Sequence, residues 1–260
     1  MTLALILAAT VIAGLASVLA AAWMSMPLLS GAVGRMVSLS AGMLLATALL
    51  HLVPEAIESG ADVHALCATL LAGLVGFFLL EKLAVMRHSH HYEGDGHPHH
   101  HGHDRDEAGP GGTLILVGDA IHNFADGILI AAAFLADLKL GLLTTLAIAA
   151  HEIPQEIGDF IVLINAGYRR SRALLYNALA SLSGVAGGLI GYFTLSRSTQ
   201  WLPYVLIVAA ASFVYIALAD LVPDLHRQTR RDRHEWVRQF VLMLVGVAVI
   251  AGLTAQAHVH

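Results

Sequence analysis

The chain is short of cysteine, of charge and of any nucleotide-binding signature. Cys67 stands alone among 260 residues, which excludes an intramolecular disulfide and a thiolate metal cluster. Charged residues make up 13% against 57% hydrophobic, and the mean hydropathy of +0.71 excludes an ordinary soluble globular domain. No G-x-x-x-x-G-K-[ST] phosphate loop occurs, and no soluble segment is large enough to hydrolyse a nucleotide. Anything this chain moves across a membrane is therefore driven by a gradient. A basic stretch ahead of the first apolar run is missing as well. The first 22 residues are expected to be a membrane span rather than a cleaved signal peptide, although "VLAAAW" offers small residues for cleavage.

What is present is apolar and continuous. Charge-free intervals run from Met1 to Gly34, Met36 to Pro54, Ala65 to Leu80, Ala173 to Ser196, Ser198 to Ala219 and Gln239 to His260. A spanning helix needs about 20 such residues, and the lack of alternation favours helices over barrel strands. With the polar-centred segments included, an all-α membrane protein of eight spans is predicted, at about 3–22, 34–54, 64–86, 113–135, 140–166, 172–195, 202–221 and 237–258. All of the 14 Lys and Arg except Lys139 and Arg197 fall in or beside the loops after spans 1, 3, 5 and 7. That asymmetry places both termini outside the cytoplasm. The net charge of −5 reflects loops and says little about partners.

One segment breaks the pattern: "RHSHHYEGDGHPHHHGHDRDEAGPGG", residues 87–112, between spans 3 and 4. It cannot bury a core and is expected to be a disordered cytoplasmic loop within a single transmembrane domain, residues 1–260. His88, His90, His91, His97, His99, His100, His101 and His103 would bind Zn²⁺, Cu²⁺ or Ni²⁺ loosely, as a buffer or sensor; a solvated spacer is the plainer reading. Span 6 carries Gly184-xxx-Gly188 and Gly187-xxx-Gly191, which lets another helix approach closely, more readily within the chain than between chains.

Spans 4 and 5 are costly. Asp119, His122, Asn123 and Asp126 are spaced three and four apart and share one stripe of a helix, and His151, Glu152, Gln155, Glu156 and Asp159 repeat the device. A short connection near 136–140 brings residues 122–126 and 151–156 to matching depth near the bilayer centre. An ionised carboxylate there costs on the order of 3 kcal/mol, and no basic residue lies at that depth. The missing positive charge is supplied by a metal ion or by protons. A mixed His/Asp/Glu/Gln set without thiolate suits Zn²⁺, Fe²⁺ or Mn²⁺ better than Cu⁺. Pro154 should kink its helix and free the carbonyl of Ala150, which suits a cation too.

The flanking residues have two readings each. Asp119 and Asp159 are part of the site or cap a hydration path, and Glu156 points along an exit route or into the site. His51 and Glu55 in "HLVPEAIES", and Asp220 and Asp224 in "ALADLVPDLHR", are an entrance funnel and an exit relay or ordinary polar helix ends.

With "HNFADGI", "HEIPQEIGDF", "HLVPEA" and the His-rich loop in this order, the chain resembles the ZIP (Zrt/Irt-like) metal transporters over essentially its whole length. The resemblance implies uptake of divalent transition metal, Zn²⁺ first, into the cytoplasm, with no catalytic cofactor. It implies a binuclear site, one ion held by His122, Asp126, His151 and Gln155 and the other by Asn123, Asp126 and Glu152, with Asp126 bridging. It also implies an elevator-like motion of spans 1, 4, 5 and 6 against the rest, and a homodimer; a bacterial inner membrane is the expected location. Gln155 departs from the imidazole usual at that place, so Fe²⁺, Mn²⁺ or Cd²⁺ should be tolerated beside Zn²⁺. Two other classes compete. A proton-coupled exchanger or channel would use the carboxylates as relays. An intramembrane zinc hydrolase would have to be built from other histidines, because Gln155 replaces the second histidine of an H-E-x-x-H motif and Pro154 distorts the helix that would present it.

Overall fold

The computed structural model describes residues 1–24, 30–89, 108–165, 167–222 and 235–255, and every regular element among them is helical. α1 spans Thr2–Met24. α2, Ser30–Thr47, passes through a π-helical turn at Ala48–Leu52 into the short α3, Val53–Glu58. α4 spans Val63–Ser89, α5 Ala108–Ala136, α6 Leu138–Asn165 and α7 Arg170–Leu195. α8, Leu202–Tyr215, ends in a second π-helical turn at Ile216–Leu221, and α9 spans Glu235–Ala255.

Six stretches among the described residues are long and apolar enough to cross a membrane: Thr2–Trp23, Arg35–Glu58, Leu116–Ala136, Arg170–Leu195, Thr199–Ala219 and Trp236–Leu253. The chain is a multi-pass membrane protein. The spans expected at 64–86 and 140–166 fall on α4, apolar over Val63–Leu79, and on α6. The 28 residues of α6 reach about 42 Å at 1.5 Å per residue, and its low apolarity comes from the polar stripe in its middle.

Ends are set by familiar chemistry. A single residue, Asp137, joins α5 to α6, and its Oδ1 accepts from the amides of Lys139 at 2.8 Å and Leu140 at 3.0 Å. Asp62 Oδ2 does the same for Ala65 at the start of α4, at 2.8 Å. Gly60 (φ 81°) and Gly167 (φ 86°) supply the left-handed residues that end α3 and α6. Both ends of the 87–112 stretch, residues 87–89 and 108–112, are helical, in α4 and α5, against the expectation of a loop there; residues 90–107 lie outside the described residues.

The helices fall into two groups. α1, α5, α6 and α7 pack on one another, whereas α2 pairs with α9, and α8 with α3 and α4; the groups meet mainly where α2 lies on α6 and α8 on α5. The glycines of α7 explain the closest pairing. A Cβ on Gly187 would run into the carbonyl of Phe124, and one on Gly127 into the carbonyl of Gly184, so α5 and α7 approach backbone to backbone. The small-residue stripe of span 6 thus has an intrachain partner.

Candidate metal centre

The one-residue connection makes α5 and α6 antiparallel neighbours, so their polar stripes meet. His122 is half-buried, while Asp126, His151 and Glu152 are buried, and one ligand atom from each lies within 4.8 Å of the others. His122 Nε2 stands 3.3 Å from His151 Nε2, 3.6 Å from Asp126 Oδ2 and 3.5 Å from Glu152 Oε1. His151 Nε2 is 3.3 Å from Asp126 Oδ2 and 3.8 Å from Glu152 Oε1. Ligands around a tetrahedral Zn²⁺ at about 2.0–2.1 Å stand about 3.3–3.4 Å apart, so these separations are close to the edges of such a tetrahedron.

The polar environment suits a cation. His151 Nδ1–H donates to the Ala147 carbonyl at 3.2 Å, which leaves Nε2 as a lone pair aimed into the cluster. Both oxygens of Asp126 and both of Glu152 are buried and accept no hydrogen bond. Unpaired carboxylate oxygens in an apolar interior are costly, and a divalent ion removes that cost. Fully buried Phe213 of α8 lies edge-on to the His151 ring at 6.2 Å between centroids, and so closes the cluster from the other helix group.

The remaining expected ligands lie beside this set. Asn123, Asp126 and Glu152 line one crevice with Thr10 and Ser181. Asn123 Nδ2 donates to Asp119 Oδ1 at 3.0 Å and Gln155 Nε2 to the same oxygen at 3.3 Å. The atom that joins His122, Asp126 and His151 in the close group is thus an oxygen of Glu152, while the Gln155 amide donates to Asp119. Asp119, Glu152 and Glu156 form a second group with one oxygen each within 4.8 Å. Asp159 follows further along α6, half-buried.

Pro154 sits inside α6 as expected, and the carbonyl it frees finds a protein donor. Ser40 Oγ of α2 donates to Ala150 O at 2.5 Å. His51 lies within the first π-helical turn, where a widened helix re-aims side chains. Together with Glu55 it lines a cavity of about 450 Å³ shared with Glu58, Asp137 and Lys139, between α3, α6 and α9. The side chain of Asp220 and the whole of Asp224 lie outside the described residues, as do the side chain of His88 and the other seven loop histidines.

The sequence reading missed Ser40, Phe213 and the pair Asn177 and Ser181, which hold Glu156 through its carbonyl at 3.2 Å and its Oε1 at 2.7 Å. Hydroxyls and an aromatic on otherwise apolar helices give no local signal. Their roles depend on which helices meet.

A family profile described as ZIP zinc transporter matches residues 88–254, which takes in α5, α6 and both polar stripes. The chain belongs to the ZIP zinc transporter family. Human zinc transporter ZIP10 is 38% identical over 137 residues, 52% of this chain and 16% of that protein. Mouse zinc transporter ZIP4 is 38% identical over 141 residues, 54% of this chain and 20% of that protein. The Drosophila melanogaster zinc transporter foi is 36% identical over 140 residues, 54% of this chain and 19% of that protein. The matched stretch thus spans about a fifth or less of these relatives' length.

Proposed function

We propose that this ZIP family member carries divalent transition metal, Zn²⁺ above all, across the membrane into the cytoplasm through the cluster on α5 and α6. The observation that carries this reading is the tetrahedral spacing of His122, Asp126, His151 and Glu152 around unpaired carboxylate oxygens. Asn123 and Gln155 complete the ion's surroundings, and Asn123, Asp126 and Glu152 offer the place for a second ion. Fe²⁺, Mn²⁺ and Cd²⁺ fit the same mixed donors less selectively.

The chain forms a single transmembrane domain with eight spans and both termini outside the cytoplasm of a bacterial inner membrane. α1, α5, α6 and α7 move as one body against the other helices, in a homodimer. The cavity bearing His51 and Glu55 receives the ion from outside; Asp119, Glu156 and Asp159 lead it inward. The segment 87–112 buffers metal on the cytoplasmic face. Transport fits better than hydrolysis, because His151 is paired with His122 of the neighbouring helix, and Gln155 holds a carboxylate where a protease would place its second histidine.

Purified protein in liposomes loaded with a zinc-sensitive dye should admit Zn²⁺, and His122→Ala or His151→Ala should abolish the influx. Undiminished influx in both variants would overturn the site, and metal-dependent hydrolysis without flux would replace the function.

A further inference from the structure

Asp119, Glu152 and Glu156 are 4%, 1% and 0% exposed, and one oxygen from each lies within 4.8 Å of the others. What points to a ligand is how their oxygens are used. Asp119 Oδ1 receives both Asn123 Nδ2 and Gln155 Nε2, and Glu156 Oε1 receives Ser181 Oγ. Asp119 Oδ2, Glu156 Oε2 and both oxygens of Glu152 receive nothing. Neutral amides and a hydroxyl thus fix two carboxylates by one oxygen each and leave the other oxygen bare, the arrangement of outer groups that orient metal ligands.

We infer that Asp119, Glu152 and Glu156 form a separate, all-oxygen binding station for a divalent cation. It lies about one helical turn from the histidine cluster, toward the ends where α5 begins and α6 finishes. This inference rests on the proposed transport role for its direction of travel, and not for its ability to bind. The donor set differs in kind from the histidine cluster. With no nitrogen it favours hard ions such as Mn²⁺ or Mg²⁺ and holds Zn²⁺ more loosely. Glu152 belongs to both groups, so an ion can exchange His122 and His151 for Asp119 and Glu156 without losing every ligand at once. The cation passes from a tighter mixed set to a looser one on its way inward.

The test uses the full chain in detergent with Mn²⁺ alone, read by electron paramagnetic resonance with electron spin echo modulation, which detects nitrogen bound to the ion. The wild-type chain should hold a Mn²⁺ population without nitrogen modulation. The double variant H122A/H151A should keep that population at one ion per chain. Adding E156Q or D119N to it should weaken Mn²⁺ binding by about tenfold or more, whereas adding D126N should not. Nitrogen modulation on every Mn²⁺ bound by the wild-type chain would overturn the inference, whatever the variants do. So would full affinity in H122A/H151A/E156Q and H122A/H151A/D119N. Zinc influx that survives H122A/H151A would instead defeat the transport site, and it leaves the Mn²⁺ result standing or falling by itself.

Discussion

The two helix groups bury polar residues of different kinds. In α1, α5, α6 and α7 the buried set includes Asp119, Asp126, His151, Glu152 and Glu156. In α2, α8 and α9, among the described residues, it consists of Ser38, Ser40, Thr47, Ser212 and Gln239. Among the described residues, the buried carboxylates and the buried histidine therefore lie on one group, and the other offers hydroxyls, an amide and apolar surface such as Phe213. The close His122, Asp126, His151 and Glu152 group draws on α5 and α6 alone, so the proposed movement of one body past the other would leave it intact. The hydrogen bond from Ser40 to Ala150 is a polar tie across that boundary.

Removing the charge shared by both stations should have the largest effect. Glu152→Gln should lower Zn²⁺ affinity by about 100-fold or more and stop influx, measured by equilibrium binding and dye-loaded liposomes. Near-normal binding would mean that the ionisable group works as structure alone. Cutting the tie comes next. Ser40→Ala removes the donor to the part-buried Ala150 carbonyl beside Pro154 and should cost about 0.5–1.5 kcal/mol of stability, seen as a lower melting temperature. An unchanged melting temperature would show that water replaces the hydroxyl.

A smaller effect is expected at Gln155. Gln155→His adds an imidazole next to the cluster and should raise the preference for Zn²⁺ over Mn²⁺ by about tenfold in competition assays. No change in preference would assign Gln155 to Asp119 alone. Deleting residues 88–103 should have the smallest effect on transport itself. Flux at saturating metal should stay the same, with a change only in its response to cytoplasmic zinc; complete loss of flux would make the loop part of the pathway.

Much of the helix order was legible because lipid demands long apolar runs. The stripe on α5 and α6 was legible because carboxylates without cationic partners stand out in a hydrophobic segment. Helix spacing alone placed His122 with Asp126, and His151 with Gln155, on shared faces. Which oxygen meets which nitrogen was not legible. That Glu152 stands nearer the two histidines than Gln155 does depends on how α6 is turned against α5, which helix spacing does not determine. The π-helical turn around His51 was equally hidden, since no residue type announces a widened turn. The freed Ala150 carbonyl was legible from Pro154, but its partner Ser40 was not, because that hydroxyl lies on α2.

The central claim is that the transported ion sits among His122, Asp126, His151 and Glu152. An anomalous difference map from crystals grown with zinc, collected at the zinc edge, addresses it directly. The account predicts a peak about 2.0–2.2 Å from the Nε2 atoms of both histidines and from one oxygen each of Asp126 and Glu152. A map with zinc only elsewhere, and none between α5 and α6, would contradict it.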